Sequence, residues 1–229
     1  MIAGEPPIRD AATVVLLRRL PAGPAVLMGL RGEKAVFMPS KYVFPGGAVD
    51  AADATAPLIA GLPETSQQRL TQEPRGEAPI DIHALAAAAL RELAEETGLL
   101  IGRSGGPASD WPGYAEHALS PDASHLYYVF RAITPPGRPR RFDARFFLAD
   151  AACLSNDPDD FSAACDELSH LHWVPISEAR ALNLPFITEV VLAEIAELVA
   201  LSGDGALCAP DTVPFFDNRG PTPRFAQIA

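Results

Sequence analysis

Residues 90–99, L-R-E-L-A-E-E-T-G-L, place three glutamates, Glu92, Glu95 and Glu96, at positions i, i+3 and i+4. On a helix this spacing puts the three carboxylates on one face, with Cβ atoms about 5–6 Å apart. Like charges this close repel each other, and the nearby base is Arg91, which can pair with Glu95 at i+4. A bound cation would compensate the remaining negative charge of the three glutamates. Because all the side-chain ligands are oxygens, the stretch predicts a Mg²⁺ or Mn²⁺ site rather than a Zn²⁺ site.

The helix that carries these glutamates has recognisable ends. Asp81 is a candidate N-cap, and Gly98 fits the C′ position beyond the last turn. Leu85, Ala89 and Leu93 fall on one side of the helix, so we expect that side to pack on a sheet while the acidic side faces a cleft. The acidic spacing alone is also typical of a solvated surface helix, and this alternative stays open at this point.

A second motif, F-P-G-G at residues 44–47, lies upstream of the helix. The two stretches together resemble the ends of the Nudix box, G-x5-E-x7-R-E-U-x-E-E-x-G-U, in which U is aliphatic. Residues 91–99 match this pattern at every specified position. The resemblance implies a catalytic helix with Arg91, and a metal held by the three glutamates and the Gly46 carbonyl. It also places Phe44, Gly46 and Gly47 at the substrate.

The spacing departs from the Nudix pattern. Gly47 and Arg91 are 44 positions apart (91 − 47), against 14 in the pattern, so about 30 residues are inserted. Eight positions before Arg91, where the pattern has a supporting glutamate, the chain has His83; Glu77 or Asp81 could replace that glutamate, or it could be absent. We place the insertion at residues 48–80 and expect it to cover one side of the cleft or to be a surface loop.

The chain has 229 residues, is 48% hydrophobic and carries a net charge of −11. This length and composition predict one globular domain, residues 1–229, in which residues 202–229 form a C-terminal extension. An acidic chain argues against nucleic acid as a partner, because binding to the nucleic-acid backbone depends on Lys and Arg. The sequence has no long apolar run and no signal-like N-terminus, which predicts a protein without membrane contact. Its three cysteines form no motif, which favours a reducing, cytoplasmic setting.

The patterns along the chain predict an α/β (α+β) fold in which a mixed β-sheet is sandwiched between helices, as the Nudix resemblance also implies. Hydrophobic, β-branched runs predict strands at 11–19 and 25–31, paired as a hairpin, and at 125–134 and 142–149. We predict helices at 64–70, at 178–182 with Ser177 as N-cap, and at 185–201. Residues 202–229 are expected to be an irregular tail with an aromatic cluster at Phe215 and Phe216.

The branch of the family that this chain resembles has a long insert and includes peroxisomal coenzyme A diphosphatases and their bacterial relatives. Arg31, thirteen positions before Phe44, fits the arginine of the coenzyme A-type enzymes, whereas Val36 and Ser40 replace two other residues of that signature. The resemblance therefore implies hydrolysis of a pyrophosphate bond in a nucleoside diphosphate derivative, coenzyme A or acyl-coenzyme A in the first place. The alternatives are ADP-ribose or a dinucleotide as substrate, or a Nudix-fold module that binds a ligand without turnover.

The resemblance also implies roles for residues outside the box. Arg31 and Arg141 are candidate substrate ligands, and the general base is one of the box glutamates or an acid in the loop before Trp173. Asp166 and Glu167 are the acids of that loop, and we favour Glu167. The expected partner is a small phosphorylated substrate; Nudix relatives often form homodimers, and the aromatic tail could take part in one.

Overall fold

The structure is a computed structural model that describes residues 6–203, 205–220 and 222–229. Its strands, in chain order, are β1 (Ile8–Leu20), β2 (Gly23–Arg31), β3 (Tyr42–Val43), β4 (Gly46–Ala48), β5 (Gly102–Arg103), β6 (Ser120–Pro121), β7 (Tyr127–Ile133), β8 (Arg141–Asp150), β9 (Leu168–Pro175), β10 (Val213–Asp217) and β11 (Arg224–Ile228). Its α-helices are α1 (Glu64–Leu70), α2 (Ile82–Thr97), α3 (Ile176–Ala179) and α4 (Phe186–Ser202), and 3₁₀ turns occur at Ala51–Thr55 and Ala151–Cys153.

Most of the described strands form one mixed sheet in the order β11-β10-β7-β8-β1-β2-β3, with β4 paired to β1 and β9 paired to β2. The centre of the sheet is the long β1, which runs parallel to β8 and antiparallel to β2. The β1–β2 hairpin confirms the prediction from residues 11–31, because their runs of Val, Leu and Ala suit a strand buried on both faces. β5 and β6 form a separate two-stranded sheet.

Helices cover both faces of the sheet, which confirms the predicted sandwich. On one face, Val14 and Leu16 of β1 belong to the same buried cluster as Leu85 and Leu93 of α2. On the other face, the alternate residues of β1, such as Val15, pack in a cluster with α4. Side chains of a strand alternate between the two faces, so one strand contributes to both halves of the core.

Two sequence predictions need correction. The predicted helix at 178–182 lies instead at Ile176–Ala179, and Pro175 rather than Ser177 occupies the N-cap position. The fixed φ of a proline, here −54°, lets the helix begin directly after β9. The predicted irregular tail contains β10 and β11, and β10 pairs in parallel with β7.

The insertion has structure of its own. Helix α1 spans Glu64–Leu70 as predicted, and its Leu70 is buried in the core cluster that α2 faces. After α1, the Glu73 carboxylate forms ion pairs with Arg219 at 2.9 Å and Arg224 at 2.8 Å, both in the C-terminal extension. The insertion and the extension therefore pack against each other beside the sheet. None of the described helices is long and apolar enough to cross a membrane.

Candidate active site

Helix α2 is fixed at both ends by the predicted caps. The Asp81 side chain accepts a hydrogen bond of 2.9 Å from the backbone N–H of Ala84. Gly98 has the left-handed conformation, φ 74°, that ends a helix at little cost only in glycine. Because Leu85 and Leu93 are fully buried against the sheet, the rotation of the helix about its axis is set by its apolar side.

That rotation brings two of the three glutamates against the glycine turn. The Gly46 N–H donates a hydrogen bond of 2.7 Å to Glu96 Oε2. The Glu92 carboxylate lies so close to Gly47 that a Cβ on Gly47 would be 2.3 Å from Glu92 Oε1. Only a residue without a side chain allows this approach. Glu95 is farther out, with 42% of its side chain exposed, and it accepts a hydrogen bond of 3.2 Å from Arg91.

The supporting acid of the box is Asp53, not one of the residues that the sequence suggested. Arg91 donates to both carboxylate oxygens of Asp53, from Nε at 2.8 Å and from Nη2 at 3.0 Å. Asp53 is only 1% exposed. Its position, six residues after Gly47 (53 − 47), is the one that the pattern assigns to its first glutamate. The additional residues therefore lie between Asp53 and Arg91.

Asp81 and Glu77, the two predicted replacements for the supporting glutamate, and His83, which stands at its expected position, have other surroundings. Asp81 caps α2, as described above, and Glu77 is exposed in the insertion. His83 Nε2 lies 2.9 Å from the carbonyl oxygen of Ala56. This contact holds the start of the inserted segment against α2. The insertion lies between the supporting acid and Arg91, so the pattern's spacing holds from Gly47 to Asp53 and does not hold from Asp53 to Arg91.

Burial shifts the protonation of the two inner glutamates. Burial raises the pKa of Glu96 to about 8; the Gly46 hydrogen bond acts in the opposite direction, and the charges of Glu92 and Glu167 act in the same direction as burial. Burial also raises the pKa of Glu92, although Arg91 opposes the shift. A carboxylate moved out of water is costly unless a cation or a donor compensates it.

These observations test whether the residues suit a divalent cation. Glu96 Oε1 is buried and has no hydrogen-bond partner among the described residues, and the surrounding side-chain donors are carboxylate oxygens, which Mg²⁺ and Mn²⁺ prefer. No three His, Cys, Asp or Glu side chains in the described ranges are already gathered as a metal site. Arg91 donates a hydrogen bond to the Glu95 carboxylate, and the Gly46 N–H donates one to the Glu96 carboxylate. The donor chemistry and the unpartnered oxygen fit such a cation.

A cleft of about 800 Å³ opens beside these residues. Of the candidate site residues, Arg31, Phe44, Gly46, Gly47, Glu92 and Glu167 line it. Arg31 Nη2 and Glu167 Oε1 are 2.5 Å apart, so the two residues that we predicted as phosphate ligand and general base form an ion pair. Asp166, the other acid of that loop, is exposed and does not line the cleft.

Arg141 is not brought to the cleft. Its side chain is 4% exposed, and it donates to the carbonyl oxygens of Thr134 at 2.9 Å and Asn218 at 2.8 Å. Two neighbouring arginines, Arg138 and Arg140, line the cleft instead. Arg141 is the first residue of β8, where alternation decides which side chains face the cleft, and the sequence did not fix that register.

The floor of the cleft was not predicted from the sequence. One row of paired residues crosses five adjacent strands; from β4 to β10 it consists of Ala48, Ala11, Ala144, Ala132 and Phe216. All five line the cleft. With neighbouring strands about 4.8 Å apart, the row extends about 19 Å from the glycine turn. The alanines are scattered in the sequence, so only the strand pairing reveals this open path.

No family model matches the chain. The crystal structure of a Nudix hydrolase from Alicyclobacillus acidocaldarius superposes with a TM-score of 0.60 and 28% sequence identity, covering 89% of this chain and 99% of that chain. The chain has the fold of the Nudix hydrolases. Two curated proteins are also similar to this chain. Nudix hydrolase 7 of Caenorhabditis elegans is 29% identical over 185 residues, which are 74% of this chain and 52% of the relative.

The second relative is the acyl-coenzyme A diphosphatase NUDT19 of Gallus gallus. It is 28% identical over 238 residues, covering 75% of this chain and 62% of the relative. The chain thus spans between half and two thirds of the length of these two relatives. The similarity to a diphosphatase of this kind agrees with the branch of the superfamily that the box and its insertion indicated.

Proposed function

We propose that this protein is a metal-dependent pyrophosphohydrolase that cleaves a nucleoside diphosphate derivative, with coenzyme A or acyl-coenzyme A as the preferred substrate. The observation that supports this most is the contact of Glu92 and Glu96 with Gly46 and Gly47 at one end of the cleft. Buried carboxylates with an unpartnered oxygen, beside a cavity large enough for a nucleotide, suit a site that binds a cation together with a diphosphate.

Each residue of the site has a role in this proposal. Glu92, Glu95 and Glu96, with the Gly46 carbonyl, would hold Mg²⁺ or Mn²⁺. The ion, when bound, supplies charge neutralisation for the phosphates and a more acidic water. Arg31 contributes a guanidinium to a phosphate oxygen.

Glu167 accepts the proton of the attacking water, for which it must leave its ion pair with Arg31. Arg91 contacts both Glu92 and Glu95 and is itself fixed by Asp53. It therefore orients the carboxylates rather than touching the substrate.

The choice of substrate is supported by the shape of the cleft and by the relative from Gallus gallus. Coenzyme A joins a nucleotide to a long pantetheine arm through one diphosphate. The alanine floor leaves an extended path of about 19 Å from the glycine turn to Phe216. Aromatic side chains, among them Phe142 and Phe146, line the same cleft. An extended, uncharged arm fits such a path better than a second charged nucleotide does.

A substrate panel tests the proposal. Purified protein is treated with EDTA and assayed with Mg²⁺ or Mn²⁺ on coenzyme A, octanoyl-coenzyme A, ADP-ribose and diadenosine tetraphosphate, with the products identified by mass spectrometry. We expect cleavage of the coenzyme A compounds to adenosine 3′,5′-bisphosphate and a phosphopantetheine. Glu95→Gln should lower kcat by about 10²-fold or more, because it removes a group that stabilises charge at the site.

The matched control is Glu77→Gln, which removes a carboxylate from an exposed position in the insertion and should leave kcat within about twofold. If ADP-ribose or the dinucleotide is cleaved faster than coenzyme A, that compound is the preferred substrate and coenzyme A is not. Equal inactivity of wild type and Glu95→Gln on every compound, with binding still detected by calorimetry, would favour a ligand-binding module.

A further inference from the structure

The hairpin loop between β7 and β8, residues 134–140, is a rigid basic segment at the rim of the cleft. It is closed by a hydrogen bond of 2.9 Å from Thr134 N–H to the Phe142 carbonyl. A second bond, of 3.0 Å, runs from Phe142 N–H to Thr134 Oγ1. The loop contains three prolines, and Gly137 has φ 78°, the left-handed conformation that glycine adopts readily. These hydrogen bonds and residue types restrict the loop backbone, which places Arg138 and Arg140 at the rim of the cleft.

The arginines of this loop are not neutralised by the protein. Arg138 and Arg140 line the cleft, and neither has an ion pair or side-chain hydrogen bond with any other described residue, whereas most arginines of the chain bond to a carboxylate or a carbonyl. Arg180 is likewise without such a partner in the described ranges, but it does not line the cleft. Two uncompensated guanidinium groups in one cleft of a chain with net charge −11 favour an anionic ligand.

The strand register shows how far these arginines lie from the glutamates. Gly47 pairs with Ala12 of β1, and Arg141, which follows the loop, pairs with Ile8 of the same strand. The four intervening steps along β1 amount to about 13 Å. Two phosphates that share a bridging oxygen are much closer together than this. The loop therefore faces a different part of the ligand from the diphosphate that Glu92 and Arg31 would contact.

We propose that Arg138 and Arg140 bind a phosphate monoester on the ribose of the nucleoside diphosphate and thereby select substrates that carry one. This inference rests on the proposed function, and it adds a specificity site remote from the bond that is cleaved. A monoester carries more charge than a phosphodiester and has three oxygens to accept hydrogen bonds, which two guanidinium groups can engage in pairs. Coenzyme A carries such a group, whereas dephospho-coenzyme A and ADP-ribose do not.

Binding measurements test the site without any reaction. Calorimetry in EDTA compares adenosine 3′,5′-bisphosphate, adenosine 2′,5′-bisphosphate and 5′-AMP on wild type, on the double variant Arg138→Gln/Arg140→Gln, and on Arg180→Gln. Wild type and Arg180→Gln should bind at least one bisphosphate about tenfold or more tightly than AMP, and the double variant should lose this preference. The preferred isomer identifies the ribose position. The double variant Arg138→Lys/Arg140→Lys, which keeps the charge but not the planar fork, should retain part of the preference.

Three results would overturn the inference: no preference of wild type for either bisphosphate, a preference that survives in the double variant, or no binding of any of the three nucleotides. The positions are exposed, so unchanged melting curves should show that the variants fold. A kinetic comparison separates this inference from the proposed function. In the double variant, the ratio of kcat/KM for coenzyme A over dephospho-coenzyme A should fall about tenfold. If the double variant hydrolyses both compounds with an unchanged ratio of kcat/KM, the monoester site is contradicted and the proposed function is not. If the wild type hydrolyses neither compound, the proposed function is contradicted and the monoester site is not.

Discussion

At the scale of single residues, Asp53 and Arg91 form a buried, bidentate ion pair next to the box glutamates. Asp53→Asn should destabilise the protein by about 3 kcal/mol, because it removes the buried carboxylate to which Arg91 donates two hydrogen bonds and leaves only Glu92 and Glu95 to pair with the guanidinium among the described residues. It should also lower kcat, since Glu92 and Glu95 both depend on Arg91 for their orientation. Urea denaturation measures the first effect and the substrate assay the second.

The control for this prediction lies on the same turn. Asp50→Asn removes the exposed pair with Arg9, in which both side chains are more than half exposed, and keeps an oxygen that can cap the turn. It should change stability by less than about 1 kcal/mol. Equal losses in the two variants would mean that the Asp53–Arg91 pair contributes no more than a surface contact does.

Glu96 gives a prediction about pH. Its pKa is about 8 in the folded protein against 4.5 for an ordinary glutamate, so folding without metal takes up a proton between these values. Stability should therefore fall as pH rises from 4.5 to 8, and at pH 7 the penalty is about 3 kcal/mol. In EDTA, Glu96→Gln should be more stable than wild type at pH 8 and of similar stability at pH 5, as thermal melts at the two pH values would show.

Adding Mn²⁺ completes that experiment. The ion should stabilise wild type at pH 8 and stabilise Glu96→Gln much less, because binding to the folded state requires the ionised carboxylate. Glu95→Gln, at a position with 42% side-chain exposure, is the control in EDTA and should change stability by no more than about 1 kcal/mol at either pH. A variant at position 96 that is less stable than wild type at pH 8 without metal would contradict the burial argument.

How far single residues could be predicted depended on the range of the interactions involved. Asp81 and Gly98 were predictable because a cap is a local structure, decided within one turn of helix. Asp53 was present in the sequence pattern and was missed only because the count ran through an insertion. The absence of Arg141 from the cleft could not be predicted, because a shift of one residue in a strand reverses the face on which a side chain lies. Arg138 and Arg140 line the cleft from the hairpin loop, whose position depends on the pairing of β7 and β8.

At the scale of elements, Glu73 contributes two ion pairs to the contact between the insertion and the C-terminal extension, beside hydrogen bonds such as those from Arg69 to the carbonyl oxygens of Pro210 and Asp211. Hydrogen bonds from Arg224 and Arg219 lower the pKa of Glu73, so its stabilising effect is present above the ordinary pKa of 4.5 and is lost as pH falls through the lower folded value. Glu73→Ala should destabilise the protein by about 1 kcal/mol at pH 7, because the group is partly exposed. Hydrogen exchange should become faster in β10 and β11.

The matched control is Glu77→Ala, which lies four residues further along the same segment and has no ion pair among the described residues. It should leave exchange in both strands unchanged. The two strands themselves were not predicted, because β10 pairs with β7 across more than eighty residues of chain, and such a pairing leaves little trace in local sequence. Helix α1 was predicted correctly because its boundaries depend on nearby residues.

At the scale of the whole molecule, the extension is part of the core. Val213, Phe215 and Ile228 are each at most 1% exposed, and the guanidinium of Arg131 lies 4.3 Å from the centre of the Phe215 ring. Burial of three such side chains contributes about 1.5–3 kcal/mol each, which is comparable to the whole net stability of a domain. Deletion of residues 205–229 should therefore give insoluble or unfolded protein, as soluble yield and circular dichroism would show.

The control for this deletion is the insertion of five Gly and Ser residues between Ser104 and Gly105. These residues are exposed, and longer surface loops cost little free energy. The melting temperature should fall by no more than a few degrees, since about 1 kcal/mol shifts it by about 2–4 °C in a chain of this size. A truncated protein that is soluble and melts cooperatively near wild type would show that the sheet is complete without β10 and β11.

The mutual packing of the insertion and the C-terminal strands has a consequence for how the two segments evolve. Arg219 and Arg224 bond to Glu73, and the Arg131 guanidinium donates to the Glu73 carbonyl at 2.8 Å while lying against Phe215. A lineage that discarded one segment would leave unpaired charges and newly exposed apolar surface on the other. Descendants should therefore gain or lose the two segments together, although Glu73 and Arg219 are 146 positions apart along the chain.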